Sequence, residues 1–234
     1  MSHPFFTDVS SSSLEFVSIH MPTSTMKPAS TTPTALVLID VQHGLSSVSS
    51  NTANFETNIA NLLGAARAYN ERVPAQPILI IHVHHHSLQA SSSLHPSHKL
   101  PSGVLGVAPM PCAQPLPSEP VLIKNRNSSF VGTDLEERLR AFGARQLILA
   151  GLTTDHCVCT TARFAANLQV LGGEGGPDGT GEGHNGIVLL RDGTATGGKG
   201  GFDAKTIHEV HLAGLEEEFV QVRGTEETIS TIMA

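Results

Sequence analysis

From Thr34 onward the chain alternates between short apolar runs and longer stretches whose apolar residues recur every three or four positions. ALVLI (35–39), PILIIHVH (77–84), VLIK (121–124), QLILAG (146–151), IVLL (187–190) and FVQV (219–222) are short, β-branched and mostly without polar alternation. That signature belongs to strands covered on both faces, as in a parallel sheet. FETNIANLLGAARAYN (55–70), TDLEERLRAFG (133–143), DHCVCTTARFAANL (155–168) and FDAKTIHEVHLAGLEEE (202–218) carry helical spacing. In the second, Thr133 and Glu136 have the spacing of a capping box, and Leu135, Leu139 and Phe142 mark the buried stripe. In the third, Val158, Thr161, Ala162, Ala165 and Leu168 share a side, and in the fourth Asp203 is placed as an N-cap. Strands separated by helix-length segments predict a three-layer α/β/α domain with a mainly parallel sheet of about six strands.

Two regions stand outside that rhythm. Residues 1–33 are rich in Ser, Thr and Pro and form an extension to the domain at 34–234, with at most a short strand near LEFVSI. They lack the basic start and apolar run of a secretory signal, and the acidic residues within them fit a transit peptide badly. Residues 172–186, GGEGGPDGTGEGHNG, contain eight glycines in fifteen residues and read as a flexible loop preceding a strand. The irregular segment from His85 to Pro120 forms no clear element.

Composition narrows the partners. The 21 acidic and 14 basic residues leave a net charge of −7, dispersed and without a basic block. That argues against nucleic acid and against an anionic membrane surface. No apolar run is long enough to span a bilayer. Three cysteines, an odd number in a long chain, fit a reducing compartment and a cytoplasmic location better than a disulfide framework.

In a parallel sheet, ligand sites form beyond the carboxyl ends of the strands. Asp40 follows the first strand, with Gln42 two residues on; Lys124 ends the third; GLTTDHCVCTTAR, which follows the fourth, carries Cys157. An acid, a base and a thiol therefore fall on one rim. Cys157 sits at the first turn of a helix, where free amides and the dipole favour a thiolate, and Lys124 would add to that. Cys159 lies about 200° further round the helix and is expected to be a packing residue. A buried structural thiol is the plain alternative for Cys157; the shared rim argues against it.

These stretches resemble the isochorismatase-like cysteine hydrolase superfamily over residues 34–222. The resemblance rests on ALVLIDVQ, on VLIKNRNSSF, on GLTTDHCVCTTA and on RDGTAT, in that order. It implies an Asp40–Lys124–Cys157 triad, in which Asp40 takes the thiol proton and Lys124 holds the charges. It also implies an oxyanion hole from the amides of Thr153 and Cys157, a cis peptide at Leu152–Thr153, and a pocket lined by Gln42, His84, His86 and Phe130. A small-molecule substrate, hydrolysed through a thioester, and a homo-oligomer are expected; no cofactor is. Ether cleavage of the isochorismate kind and a non-catalytic binding protein are the competing readings. Position 45 is Leu where relatives often have an aromatic residue.

Thirteen histidines raise the question of metal. His84-x-His86 has the spacing of the zinc loop in nicotinamidases of this superfamily, but a third ligand is not evident. The expectation is a pocket wall and no metal. His95 and His98 read as loop residues, and His208 and His211 as members of a half-exposed helix face. GTATGGK, residues 193–199, imitates a phosphate loop but is followed by Gly200, where a Ser or Thr must hold Mg²⁺.

Overall fold

The computed structural model describes residues 26–172, 186–216 and 218–234. The possible strand near LEFVSI and nearly all of the glycine-rich stretch lie outside the described residues. Six strands form one sheet in the order β3-β2-β1-β4-β5-β6, and every neighbouring pair is parallel. They are β1 (Thr34–Ile39), β2 (Leu79–His85), β3 (Val121–Lys124), β4 (Gln146–Leu152), β5 (Ile187–Ala195) and β6 (Gln221–Arg223). Helices α1 (Ser46–Ser49), α2 (Phe55–Arg72), α3 (Leu135–Phe142), α4 (Cys159–Asn167), α5 (Ala204–Ala213) and α6 (Thr225–Ile232) complete the layers. Among the described residues, no helix is long and apolar enough to cross a membrane.

Alternation along each strand divides the interior into two cores. Ala35, Val37 and Ile39 of β1 join Ile81, Val83, Leu147 and Leu149 with Leu135 and Leu139 of α3 and Ala162 and Ala165 of α4. Leu36 and Leu38 join Ile80, Ile148 and Ala150 with Ile59, Leu62 and Tyr69 of α2 and Ile232 of α6. Each fully buried Leu or Ile contributes roughly 1.5–3 kcal/mol, so the two clusters hold the layers together.

Element ends differ from the sequence reading where side chains bond locally. Helix α3 begins at Leu135, and no capping box forms. Thr133 Oγ1 donates to Ser129 O and accepts from Leu135 N, while Glu136 bonds Arg140. Leu168, expected on the buried side of α4, is exposed. Helix α5 stops at Ala213, with Asp203 capping it as expected through a 2.7 Å bond from Thr206 N. Helix α6 escaped the sequence reading because TEETISTI has only two apolar residues; it buries Thr225 and Thr228 beside Ile232.

Strand order places a topological switch between β1 and β4, since β2 and β3 extend to one side and β5 and β6 to the other. The crevice beyond the carboxyl ends of these two strands is where such folds bind ligands. Gly151 is what lets β4 lie so close there. At φ 127°, a Cβ on it would sit 2.0 Å from Ile39 O, so a side chain is excluded.

Candidate active site

Each group reaches the crevice from a different strand end. Asp40 follows β1 in a left-handed conformation (φ 53°), a region Asp tolerates better than most residues. Its amide donates to Val83 O (2.8 Å), which holds the residue against β2. Lys124 ends β3 on the face of Leu122, and its side chain is fully buried. Cys157 lies in a π-helical turn, Thr154–Val158, between β4 and α4. The amides of His156 and Val158 both donate to Thr153 O (3.1 Å each), and the Leu152–Thr153 peptide is cis.

Lys124 Nζ donates to Asp40 Oδ2 at 2.7 Å, to Arg126 O at 3.1 Å and to His85 Nδ1 at 3.2 Å. All three ammonium hydrogens are thereby placed. Because an ammonium can only donate, His85 Nδ1 must be an acceptor, and His85 is neutral with its proton on Nε2. Burial, and then the adjacent Lys124 charge, push the His85 pKa down to about 4, in keeping with that form.

The acceptor left over is Asp40 Oδ1, which is buried and has no hydrogen-bond partner among the described residues. The Cys157 thiol is a donor beside this carboxylate, and the ligating atoms of Asp40, His85 and Cys157 lie within 4.8 Å of one another. Burial raises the Asp40 pKa above the ordinary carboxylate value, against the pull of Lys124. Burial, reinforced by the Asp40 charge, also pushes the Cys157 thiol up to about 12. This corrects one expectation: the helix start and Lys124 do not produce a standing thiolate, because desolvation outweighs them. Cys159, as expected, packs in the core.

The remaining pocket residues divide. Phe130 is half-buried and packs on the same core cluster as Cys157. Gln42 is fully buried, and its amide is engaged with backbone. Its Nε2 donates to His85 O (3.2 Å) and Val107 O (2.8 Å), and its Oε1 accepts from His85 N (2.8 Å). It is not presented to a ligand. His84 is a further correction: strand alternation puts it with His82 on the α2 side, ring centroids 6.5 Å apart, away from Cys157. His86 follows the end of β2, half-buried, with its amide on Lys124 O (2.8 Å). Among the described residues neither belongs to a cluster of three metal-ligating side chains; the cluster that exists contains His85. Lys124 Nζ donates to two members of that cluster, Asp40 and His85.

Two residues the sequence reading passed over or misplaced support the turn. The Asp155 side chain is almost fully buried and binds Thr196 Oγ1 and Lys199 Nζ. Burial opposes its charge, yet these bonds hold its pKa down to about 2. Lys199, the lysine of the phosphate-loop imitation, is thus engaged. His208 is buried rather than half-exposed: its Nε2 donates to Arg191 O (3.1 Å) and its Nδ1 accepts from Thr154 Oγ1 (2.9 Å). A cavity of about 350 Å³ lined by Arg67, Ile78, Glu119 and Phe142 includes none of the rim residues.

Comparisons with known proteins converge on one group. Residues 34–227 match the family described as Isochorismatase domain. The isochorismatase family protein YrdC of Bacillus subtilis is 31% identical over 204 residues, covering 84% of this chain and 94% of that protein. The ureidoacrylate amidohydrolase RutB of Rhizobium rhizogenes is 27% identical over 179 residues, 63% of this chain and 69% of the enzyme. A crystal structure of an isochorismatase family protein from Chromobacterium violaceum superimposes with a TM-score of 0.66 at 30% identity, covering 88% of this chain and 93% of that one.

Proposed function

The chain belongs to the isochorismatase family of hydrolases, and from that premise we propose that it cleaves a small carboxamide or ureido compound through a Cys157 thioester. The observation that carries this reading is the Asp40 carboxylate beside the Cys157 thiol, held at Oδ2 by Lys124 and left without a hydrogen-bond partner at Oδ1 among the described residues. A carboxylate fixed on one side and open on the other is a positioned base.

Cys157 Sγ bonds to the substrate carbonyl carbon as its proton passes to Asp40 Oδ1, so the resting thiol becomes a nucleophile only in contact with substrate. The raised Asp40 pKa makes that carboxylate a stronger base than an exposed one. The oxyanion is assigned to the amides of Thr153 and Cys157. The C–N bond then breaks, Asp40 returns the proton to the leaving nitrogen, and ammonia or an amine departs. Water, deprotonated by Asp40, attacks the thioester carbon; the C–S bond breaks, the thiol is reprotonated and the acid is released. Lys124 keeps its contact with Asp40 throughout and offsets the negative charge that moves between oxygen and sulfur.

The relationship to RutB supports amides and ureido acids as the first substrates to try. A panel of both, scored by ammonia release, is expected to find one turned over, with Cys157→Ala lowering kcat by about 10³-fold or more. Full turnover by Cys157→Ala would remove the thioester, and persistent ether cleavage by that variant would favour the isochorismate-type reaction.

A further inference from the structure

His85 has no part in the triad, yet its ring lies within hydrogen-bond distance of Lys124 Nζ. Strand pairing makes it the direct neighbour of Lys124, and both side chains emerge on the face that carries Cys157. Its backbone is gripped on both sides by one buried side chain, with Gln42 accepting from His85 N and donating to His85 O. A strand end would otherwise be free to fray; here two hydrogen bonds from outside the ladder fix it. The lone pair thus fixed is the one Lys124 Nζ uses.

We propose that His85 is a positioning residue of this site, its Nδ1 lone pair splinted by Gln42 so that it aims the Lys124 ammonium at Asp40 and Cys157. A lysine head on a four-carbon stem rotates freely, and two acceptors leave one hydrogen to seek another partner. The third acceptor removes that freedom. It also gives Gln42 its role: the residue two positions after Asp40 acts on the catalytic groups through His85 rather than on substrate. The proposal rests on the proposed function only in taking Cys157 as the nucleophile.

The groups facing His85 include Lys124 from β3, the Arg126 carbonyl just after it, Asp40 from the end of β1, Cys157 from the turn after β4, and His86 beside it. Removing the acceptor lets the ammonium leave its place. Cys157 then loses the one charge that lowers its pKa, and its reactivity moves to higher pH.

The test exploits shape. An Asn side chain places its carbonyl oxygen where the imidazole has Nδ1, whereas Gln places it near Nε2, and Leu offers no acceptor. His85→Leu and His85→Gln are expected to slow alkylation of Cys157 by iodoacetamide about tenfold at a given pH, equivalent to about one pH unit. His85→Asn is expected to recover most of that loss. With a substrate from the amide panel, the same ranking should appear in kcat, with KM little changed. Thermal melting checks that each variant folds; if Leu does not, the Asn and Gln variants decide. Equal rates for Asn and Gln, or a Leu variant that folds and alkylates like wild type, would overturn the proposal. Alkylation needs no substrate, so failure of the amidohydrolase reading shows up separately, in the panel alone.

Discussion

Lys124 donates its three hydrogens to Asp40, His85 and Arg126, and this saturation decides how the site titrates. A buried ion pair gains little net stability, but losing one partner of such a pair typically costs about 3–5 kcal/mol. On the proposed function, the pair therefore serves chemistry more than stability. In the proposed reaction Asp40 must be ionised to accept the thiol proton, and its pKa is raised above the ordinary carboxylate value, chiefly by burial. Activity is thus present above that raised value and is lost as pH falls through it. The acid limb of kcat/KM should have its midpoint clearly above about 3.9, the value of an exposed Asp, and it belongs to the coupled cluster rather than to one group. A limb at or below that value would contradict Asp40 as the base. At this scale the acidic, basic and sulfur positions were legible because each stands at or shortly after a strand end. The histidine was not: HVHHHS offers four candidates, and only strand parity selects His85 over His84.

Elements here are tied by side chains that span them. Asp192, in the polar half of β5, accepts at Oδ1 from Thr225 N (2.9 Å) and Thr225 Oγ1 (2.7 Å), which satisfies an amide at the start of α6. Asp192→Ala should lower unfolding stability by about 1–2 kcal/mol, as loss of a helix cap does, read from urea denaturation; no change would show that water replaces the cap. Helix α6 in turn receives the amide of Ala29 at Ile232 O (2.8 Å), so the chain's described beginning and end are joined across the α2 face. The strands and most helices followed from apolar periodicity. Helix α6 did not, because its buried positions are largely threonine. The start of α3 was misread because Thr133 turns to Ser129 instead of to Glu136.

For the molecule as a whole, a second polar cluster anchors the region away from the crevice. Glu119 binds Arg67 of α2 through both oxygens and His82 of β2 at 2.9 Å. Although burial opposes its charge, these bonds hold its pKa down to about 2 from an ordinary 4.5. A carboxylate depressed on folding stabilises the fold above its unfolded value and loses that contribution as pH falls through its folded value. Stability should therefore drain between about pH 4.5 and about pH 2, and Glu119→Gln should flatten that part of the pH–stability curve; an unchanged curve would discount the cluster. The sequence by itself determined the layered α/β architecture, the two-faced burial of the strands and the rim on which Asp40, Lys124 and Cys157 fall, because periodicity and strand ends are local properties. Only the tertiary structure decided that β4 returns beside β1, that Gln42 bonds His85 on both sides, that the thiol rests protonated, and that Asp40 lies between Lys124 and the thiol. Those are set by strand order, register and desolvation, which depend on groups far apart along the chain.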